Sequence, residues 1–545
     1  MCSLAILFDR AGGWRRGAIA LCCAVLGWAK RPFRREVRFR LVQPAAPGYD
    51  HPVLDADSCY AALRARDPRF DGLFFVAVTT TGIYCRPICP ARTPRADRCR
   101  FYGHAAAAEK AGFRACLRCR PELAPGRAPV DARPRLVAEA LARIDAGALD
   151  GASVEDLASD LEVSARHLRR TLVDALGVGP LELAATRRLA AAKQLLHDSD
   201  LDLTSVAFAS GFASVRRFNA AFRERFGRPP SAIRRELVGA RGGASTPLRL
   251  RLDLRPPFDW SSLLAFLRAR AIPGVERVEA SCYRRLVAID GHVGELRVEH
   301  DAARPRLHVA LSPSLAPILA TLVQRLRRLF DLDAEPTVID SHLARDPMLR
   351  ALVTRRPGLR VAGSFDVFEG LVRTVLGQQI SVVAARTLGA RLVERLGDRH
   401  VAEEVGLAGG EVDAASCALS RVFPSPAKIA ATSIDALAAV GMPRARATLL
   451  RALAQAWAEG SLRFESCDAE GSLERLAALR GVGPWTCDYA ALRVLHLPDA
   501  FPASDGALRR AFPAASSPAA IVARAEGWRP FRAYAAQHLW TGIEP

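Results

Sequence analysis

The sequence predicts a multidomain, mostly α-helical protein, and three observations carry that reading. The chain has 545 residues, more than one hydrophobic core organises, so about three to five domains are expected. Four cysteines, Cys85, Cys89, Cys116 and Cys119, stand as C-x3-C, then twenty-six residues, then C-x2-C in an arginine-rich stretch. That is ligand spacing for a tetrahedral thiolate zinc site. From Leu136 onward apolar residues recur mainly at helical spacing, broken by one group of alternating, strand-like segments.

The formal net charge is +20, and arginine supplies most of it. A polyanionic partner is therefore favoured over a small neutral one, and nucleic acid is the first choice. Of thirteen cysteines only the quartet has ligand spacing, which argues against a secreted disulfide framework and for a reducing, cytoplasmic setting. The apolar run Gly17 to Ala29 lies between Trp14-Arg15-Arg16 and Lys30-Arg31. It is short for a spanning helix and lacks a small-residue cleavage site, so no membrane partner is expected. Residues 1–48 read as an unstructured or mis-started extension.

Four domains follow in order. Residues 49–125 form the small cysteine-bearing unit, and Pro121 to Pro134 reads as a Pro/Ala linker. Residues 131–240 are all-helical, with helix-turn-helix breaks at Leu161 to Ser164 and Ser210 to Ser214. Gly239 to Ser245 reads as a second linker. Residues 246–333 form an α+β unit, with strands at Leu248 to Leu254, Arg285 to Ile289, Glu295 to Glu299 and Arg306 to Leu311 and a helix at Trp260 to Arg270. Residues 334–545 run helix after helix, punctuated by Gly and Pro, without a fixed repeat.

Thiolates are both strong zinc ligands and strong nucleophiles, so the cysteine quartet suits a fold staple, a reagent, or both. The stretches T-T-G-I-Y-C-R-P-I-C-P-A-R, Thr80 to Arg92, and G-F-R-A-C-L-R-C-R-P, Gly112 to Pro121, resemble the N-terminal domain of Ada-type adaptive-response proteins. The resemblance implies a small α+β fold around one Zn2+. It implies that Cys85 accepts a methyl group from a DNA methyl phosphotriester while Cys89, Cys116 and Cys119 complete the shell. Arg86, Arg92, Arg118 and Arg120 are then the expected phosphate contacts. Methylation would make the centre less negative by one charge, which favours DNA binding.

In the helical domain, Ser153 and Asp156 suit a helix start, and Ser164 opens a helix that carries Arg166, His167, Arg169 and Arg170. The second copy, Gly211 to Ser231, is similar to the signature of AraC-type transcription activators. Ser214, Arg216, Arg217 and Asn219 are its groove candidates, and Phe212, Phe218, Phe222 and Phe226 its core. Which arginines read bases and which bind phosphate stays open, since both contacts use arginine.

In the rear half, L-R-G-V-G-P-W-T-C-D-Y-A, Leu479 to Ala490, places Gly481 and Gly483 in a turn between helices. Such a turn lets backbone N–H groups approach a phosphate closely. Together with P-P-F-D-W at Pro256, L-G-Q-Q-I-S at Leu376, F-P-A-S-D at Phe501 and the terminal Trp528 to Trp540 segment, this resembles the AlkA-type 3-methyladenine DNA glycosylases of the helix-hairpin-helix superfamily. The resemblance implies a TATA-binding-protein-like α+β domain followed by an all-α glycosylase domain. It makes Asp505 the catalytic carboxylate and Trp485, Tyr489, Trp540 and Phe266 the base pocket, and it puts Gln379, with Ile380 beside it, at the place where the AlkA-type enzyme wedges a leucine into the emptied stack.

An electron-rich aromatic cleft suits a base made cationic by methylation, and such a base is an easy leaving group. One carboxylate then suffices to support the oxocarbenium-like sugar. The local sequence also suits Asp505 as a helix N-cap, and the two roles are compatible. Trp485 stands where strand-cutting relatives carry a Schiff-base lysine, so a monofunctional enzyme is expected. No cysteine follows Asp505, so no iron–sulfur cluster is expected.

The whole reads as an alkylation sensor, activator and glycosylase acting on double-stranded DNA, alkylated and promoter sites alike, with RNA polymerase as the further partner an activator implies. The competing reading is a sequence-specific activator whose rear half grips DNA without catalysis. The P-C-H-R motif of the Ada methyltransferase domain does not occur in the sequence, so reversal of O6-methylguanine is not expected.

Overall fold

The computed structural model describes residues 55–125, 135–199, 201–238, 248–400, 419–464, 468–513 and 517–543. The expectations for residues 1–48, for Gly239 to Ser245 and for the linker beyond residue 125 lie outside these.

The cysteine-bearing unit is built on a four-stranded sheet of β1 (Phe75–Val78), β2 (Ile83–Cys85), β3 (Cys99–Tyr102) and β4 (Arg114–Ala115), in the order β3-β1-β2-β4. β1 pairs antiparallel with β2 and β3, whereas β4 runs parallel to β2. The segment expected to begin a linker is folded instead. Pro121–Leu123 is a 3-10 turn whose Leu123 is buried, and Glu122 bonds the buried Lys193 ammonium at 2.9 Å.

Both helix-turn-helix units form. Ser153 and Asp156 make a reciprocal capping box at Val154–Asp160, and Ser164 caps Ala165–Leu176 by accepting from the His167 N–H at 3.2 Å. The two turns use left-handed residues, Glu162 at φ 56° and Gly211 at φ 85°. A Cβ on Gly211 would meet the Asp150 carboxylate at 2.3 Å, so glycine is required there. In the second unit, helices Leu203–Ala209 and Val215–Phe226 close over a file of Phe212, Phe218, Phe222 and Phe226 with ring centroids 4.5–5.6 Å apart.

The α+β unit has one sheet of β5 (Leu248–Asp253), β6 (Glu276–Val278), β7 (Cys282–Ile289), β8 (His292–Asp301) and β9 (Arg306–Leu311), antiparallel throughout in the order β5-β9-β8-β7-β6. Helix Trp260–Arg270 lays Leu263, Leu264 and Leu267 on it. β6 was not anticipated, because Glu276-Arg277-Val278 is short and two-thirds charged.

The domains share cores. Leu195, Phe218 and Phe222 of the second helix-turn-helix unit belong to the same apolar cluster as Leu250, Val309 and Leu315 of the α+β unit. Buried ion pairs add to this. Arg86 of the cysteine unit bonds both Asp71 and, at 2.7 Å, Asp253 on β5.

A second buried network sets up the rear half. On β7, Arg285 bonds Glu276 at 2.8 Å and pairs with Glu369 on helix Val367–Leu376; Arg373 of that helix reaches Glu276 at 2.6 Å and the Arg270 carbonyl at 2.9 Å. Burial pushes the Glu276 carboxyl up, but Arg373 and Arg285 outweigh it and hold it at about 2. This network fixes the helix that runs directly into Gly377 to Ser381. The remaining helices close a further core in which Leu343, Leu349 and Val353 meet Trp528, Phe531 and Leu539.

Candidate metal centre and active site

The four cysteine sulfurs converge. β2 delivers Cys85, the turn after it delivers Cys89 through a Cys89 N–H to Arg86 carbonyl bond of 3.1 Å, and Cys116 is tied to β2 by its N–H on the Tyr84 carbonyl at 3.0 Å. All four sulfurs lie within 4.8 Å of one another. A tetrahedron with Zn–S near 2.3 Å needs sulfurs about 3.8 Å apart, so the donor set fits one zinc ion. Backbone N–H groups of Arg86 and Arg118 point at the Cys119 and Cys116 sulfurs, each at 3.4 Å, which suits anionic sulfur. Zinc bound there keeps the sulfurs as thiolates and so nucleophilic at neutral pH.

Two of the expected phosphate contacts are corrected. Arg86 is 2% exposed and its guanidinium is consumed by Asp71, Asp253 and the Cys119 carbonyl. Arg120 is buried beside Glu122. A buried guanidinium already bonded to carboxylates has no donors to offer DNA. Arg92 and Arg118 are exposed, as expected for phosphate contacts.

On the helix-turn-helix units Arg166, His167, Arg170, Arg216 and Arg217 are exposed and Asn219 is half-buried. Arg169 is exposed but reaches back to Glu155 at 2.7 Å. The Ser214 hydroxyl caps its own helix by accepting from the Arg217 N–H at 3.3 Å.

The rear half holds an open cavity of about 1300 Å³, and Asp505, Trp485, Tyr489, Trp540, Phe266, Gln379, Ile380, Gly481 and Gly483 all line it. The pocket candidates, drawn from separate segments of the sequence, meet around one carboxylate. Oδ2 of Asp505 accepts from the Trp485 indole at 3.0 Å, and Oδ1 accepts from the Trp540 indole and from the Ala507 and Leu508 backbone N–H groups, each at 3.0 Å. Asp505 is thus the N-cap of Gly506–Arg510 as well. Trp485 and Tyr489 stack with centroids 5.0 Å apart and planes 18° apart, and Tyr489 meets Trp540 at 6.3 Å.

The hairpin joins helices Ala469–Ala477 and Pro484–Arg493, with Gly481 at φ 100°. Gln378, which went unnoticed in the sequence, clamps it: its amide donates to the Gly481 carbonyl at 3.2 Å and the Thr486 hydroxyl at 2.9 Å. Gln379 follows, exposed and left-handed at φ 57°, beside Ile380 at the cavity edge. A glycine hairpin, an exposed side chain and a half-buried carboxylate around one cavity are the parts needed to hold a DNA backbone, fill a gap in a base stack and act on an extruded nucleotide.

Four family models match the chain: "Metal binding domain of Ada" at residues 58–122, "Helix-turn-helix domain" at 157–236, "AlkA N-terminal domain" at 249–366 and "HhH-GPD superfamily base excision DNA repair protein" at 372–521. The chain is 40% identical over 498 residues to the probable bifunctional transcriptional activator/DNA repair enzyme AlkA of Mycobacterium tuberculosis, covering 90% of this chain and 97% of that one. It belongs to this bifunctional activator/repair AlkA family. DNA-3-methyladenine glycosylase 2 of Escherichia coli is 38% identical over 290 residues, 53% of this chain and 95% of that one. The bifunctional activator/repair enzyme Ada of Escherichia coli is 49% identical over 71 residues, 13% of this chain and 20% of that one.

In this AlkA-family pocket two arginines escaped the sequence reading. Arg270 lies over the Phe266 ring at 3.7 Å and Arg493 over the same ring at 4.2 Å. Phe266 is therefore less the open wall expected of it than a platform for two guanidiniums, because a ring face attracts cations already present in the chain. The signal was there: Arg493 follows Tyr489 and Trp485 at steps of four, and Arg270 follows Phe266 by four, so each shares a helix face with a pocket ring. Burial alone would raise the Tyr489 phenol, but Arg493 and Arg270 outweigh it and bring it below its ordinary value.

Among the described residues no helix is long and apolar enough to cross a membrane.

Proposed function

We propose that this chain is an adaptive-response DNA repair protein that releases alkylated purines of the 3-methyladenine and 7-methylguanine class as a monofunctional N-glycosylase. Its front half takes a methyl group from a DNA methyl phosphotriester onto Cys85 and so promotes transcription of repair genes. The observation that carries the enzymatic reading is Asp505, held by two indole and two backbone N–H groups inside an aromatic cavity beside a DNA-binding hairpin.

With an extruded nucleotide in the cavity, the C1′–N bond breaks heterolytically and its electron pair leaves with the base. The Asp505 carboxylate opposes the positive charge that develops on the sugar. Water then adds to C1′ and loses its proton to Asp505 and on to solvent. Because Trp485 occupies the lysine position of strand-cutting relatives, no Schiff base forms and an abasic site remains.

Arg166, Arg169, Arg216, Arg217 and Asn219 would meet promoter DNA, and Arg118 the damaged backbone. RNA polymerase is the partner through which activation would act, and the cytoplasm the compartment. The domain limits that accompany this reading are 49–125, 131–240, 246–333 and 334–545. Chromatography of free bases released from alkylated duplex tests the enzymatic half. Release of 3-methyladenine or 7-methylguanine supports it, and DNA binding without release leaves only an activator.

A further inference from the structure

We propose that Arg493 is a specificity-determining charge of the base pocket, one that favours neutral leaving bases over cationic ones. This rests on the glycosylase reading above. The guanidinium sits at the meeting point of three pocket rings, 4.2 Å from the Phe266 centroid, 5.2 Å from Trp540 and 5.8 Å from Tyr489. It cannot swing away, because one terminal nitrogen donates to the Ala362 carbonyl at 3.0 Å and the other to Gln537 Oε1 at 2.7 Å. Its Nε–H is buried and has no acceptor among the described residues. A fixed cation thus lines a cavity whose aromatic walls suit cationic bases.

When the C1′–N bond breaks, its electron pair moves onto the base, so a cationic base leaves neutral and a neutral base leaves as an anion that takes a proton from water. In both cases the base becomes more negative by one charge next to Arg493. For a cationic base, Arg493 opposes the bound ground state and is indifferent to the neutralised transition state. For a neutral base, it is indifferent to the ground state and stabilises the transition state. Only interactions that differ between the free reactants and the transition state change kcat/KM. Arg493 therefore raises kcat/KM for neutral bases and leaves it nearly unchanged for cationic ones, for which it weakens binding and speeds release together.

The test compares wild type with Arg493→Gln, which keeps amide donors and loses the charge, and Arg493→Lys, which keeps the charge. Release is measured from duplexes carrying 7-methylguanine, a cation, or hypoxanthine, a neutral base. In Arg493→Gln, kcat/KM for hypoxanthine should fall about tenfold to a hundredfold. For 7-methylguanine kcat and KM should fall together with little change in their ratio, and Arg493→Lys should restore part of the hypoxanthine rate. Gln537→Met, which releases the guanidinium from one of its two anchors without removing it, should likewise lower kcat/KM for hypoxanthine more than for 7-methylguanine, and serves if Arg493→Gln does not fold. Equal losses of kcat/KM on both bases would mean a merely structural role and overturn the proposal. Wild-type protein that releases neither base would instead overturn the glycosylase reading beneath it.

Discussion

The Trp485 indole N–H lies 3.0 Å from Asp505 Oδ2, so the ring that forms one wall of the cavity also orients the carboxylate at its floor. Trp485→Phe separates the two jobs by keeping an aromatic face and deleting the donor. A hydrogen bond to a charged group contributes about 1.5–3 kcal/mol, so base release should slow about tenfold to a hundredfold, mostly in kcat. Single-turnover release from alkylated duplex measures this, and an unchanged rate would remove Trp485 from the orientation of Asp505.

Asp253 on β5 meets Arg86 at 2.7 Å across the boundary between the cysteine unit and the α+β unit. Asp253→Ala leaves Asp71 as the one carboxylate on the buried Arg86 and also takes away the carboxylate 3.4 Å from Arg306, so urea denaturation should show a loss of about 2–3 kcal/mol. Zinc content should persist, because none of the four ligands is touched. A loss within experimental error would mean that the two units are not joined through this pair.

Asp488, on the second hairpin helix, gives a pH signature. Burial pushes its carboxyl up to about 7, with Arg532 pulling the other way. In an unfolded chain an aspartate titrates near 3.9, so between about pH 4 and pH 7 the folded state holds a proton that the unfolded state releases. Stability therefore falls as pH rises through that window and is level above it. Asp488→Asn removes the ionising group. It should raise Tm by a few degrees at pH 8, with the gain shrinking toward pH 5. A Tm difference that is the same at both pH values would contradict this.

At the metal centre, Cys119→Ala removes one of four converging sulfurs together with the acceptor for the Arg86 N–H. Bound zinc per chain should fall well below one, and thermal unfolding should begin earlier, since a structural zinc site contributes directly to folding. Incubation of the unaltered protein with methylated DNA should add the mass of one methyl group to the peptide that contains Cys85. Methylation absent from that peptide would reduce the centre to a staple.

What could be read from the sequence was what local chemistry dictates. Ser153, Asp156 and Ser164 cap the helices they were expected to cap, because a capping hydroxyl or carboxylate acts within three residues. β9 appears at Arg306–Leu311 as its alternation predicts. The misreadings share one cause. Arg86 looked like a solvated cation because its partner Asp253 lies 167 residues further along the chain, and no local pattern announces such a pair. Pro121–Leu123 looked like linker because the partner of Glu122, Lys193, lies 71 residues further along the chain. Arg493 differs from these two: no motif includes it, yet it stands four residues after Tyr489, on the same helix face as the pocket ring.

The central claim is that Asp505 is the group on which base release depends, and Asp505→Asn tests it most directly. Asparagine still caps Gly506–Arg510 and fills the same space, so fold and DNA affinity should be retained. Release of 3-methyladenine and 7-methylguanine from alkylated duplex should fall by about 10²-fold or more. Release at the wild-type rate by a folded, DNA-binding Asp505→Asn protein would contradict the account.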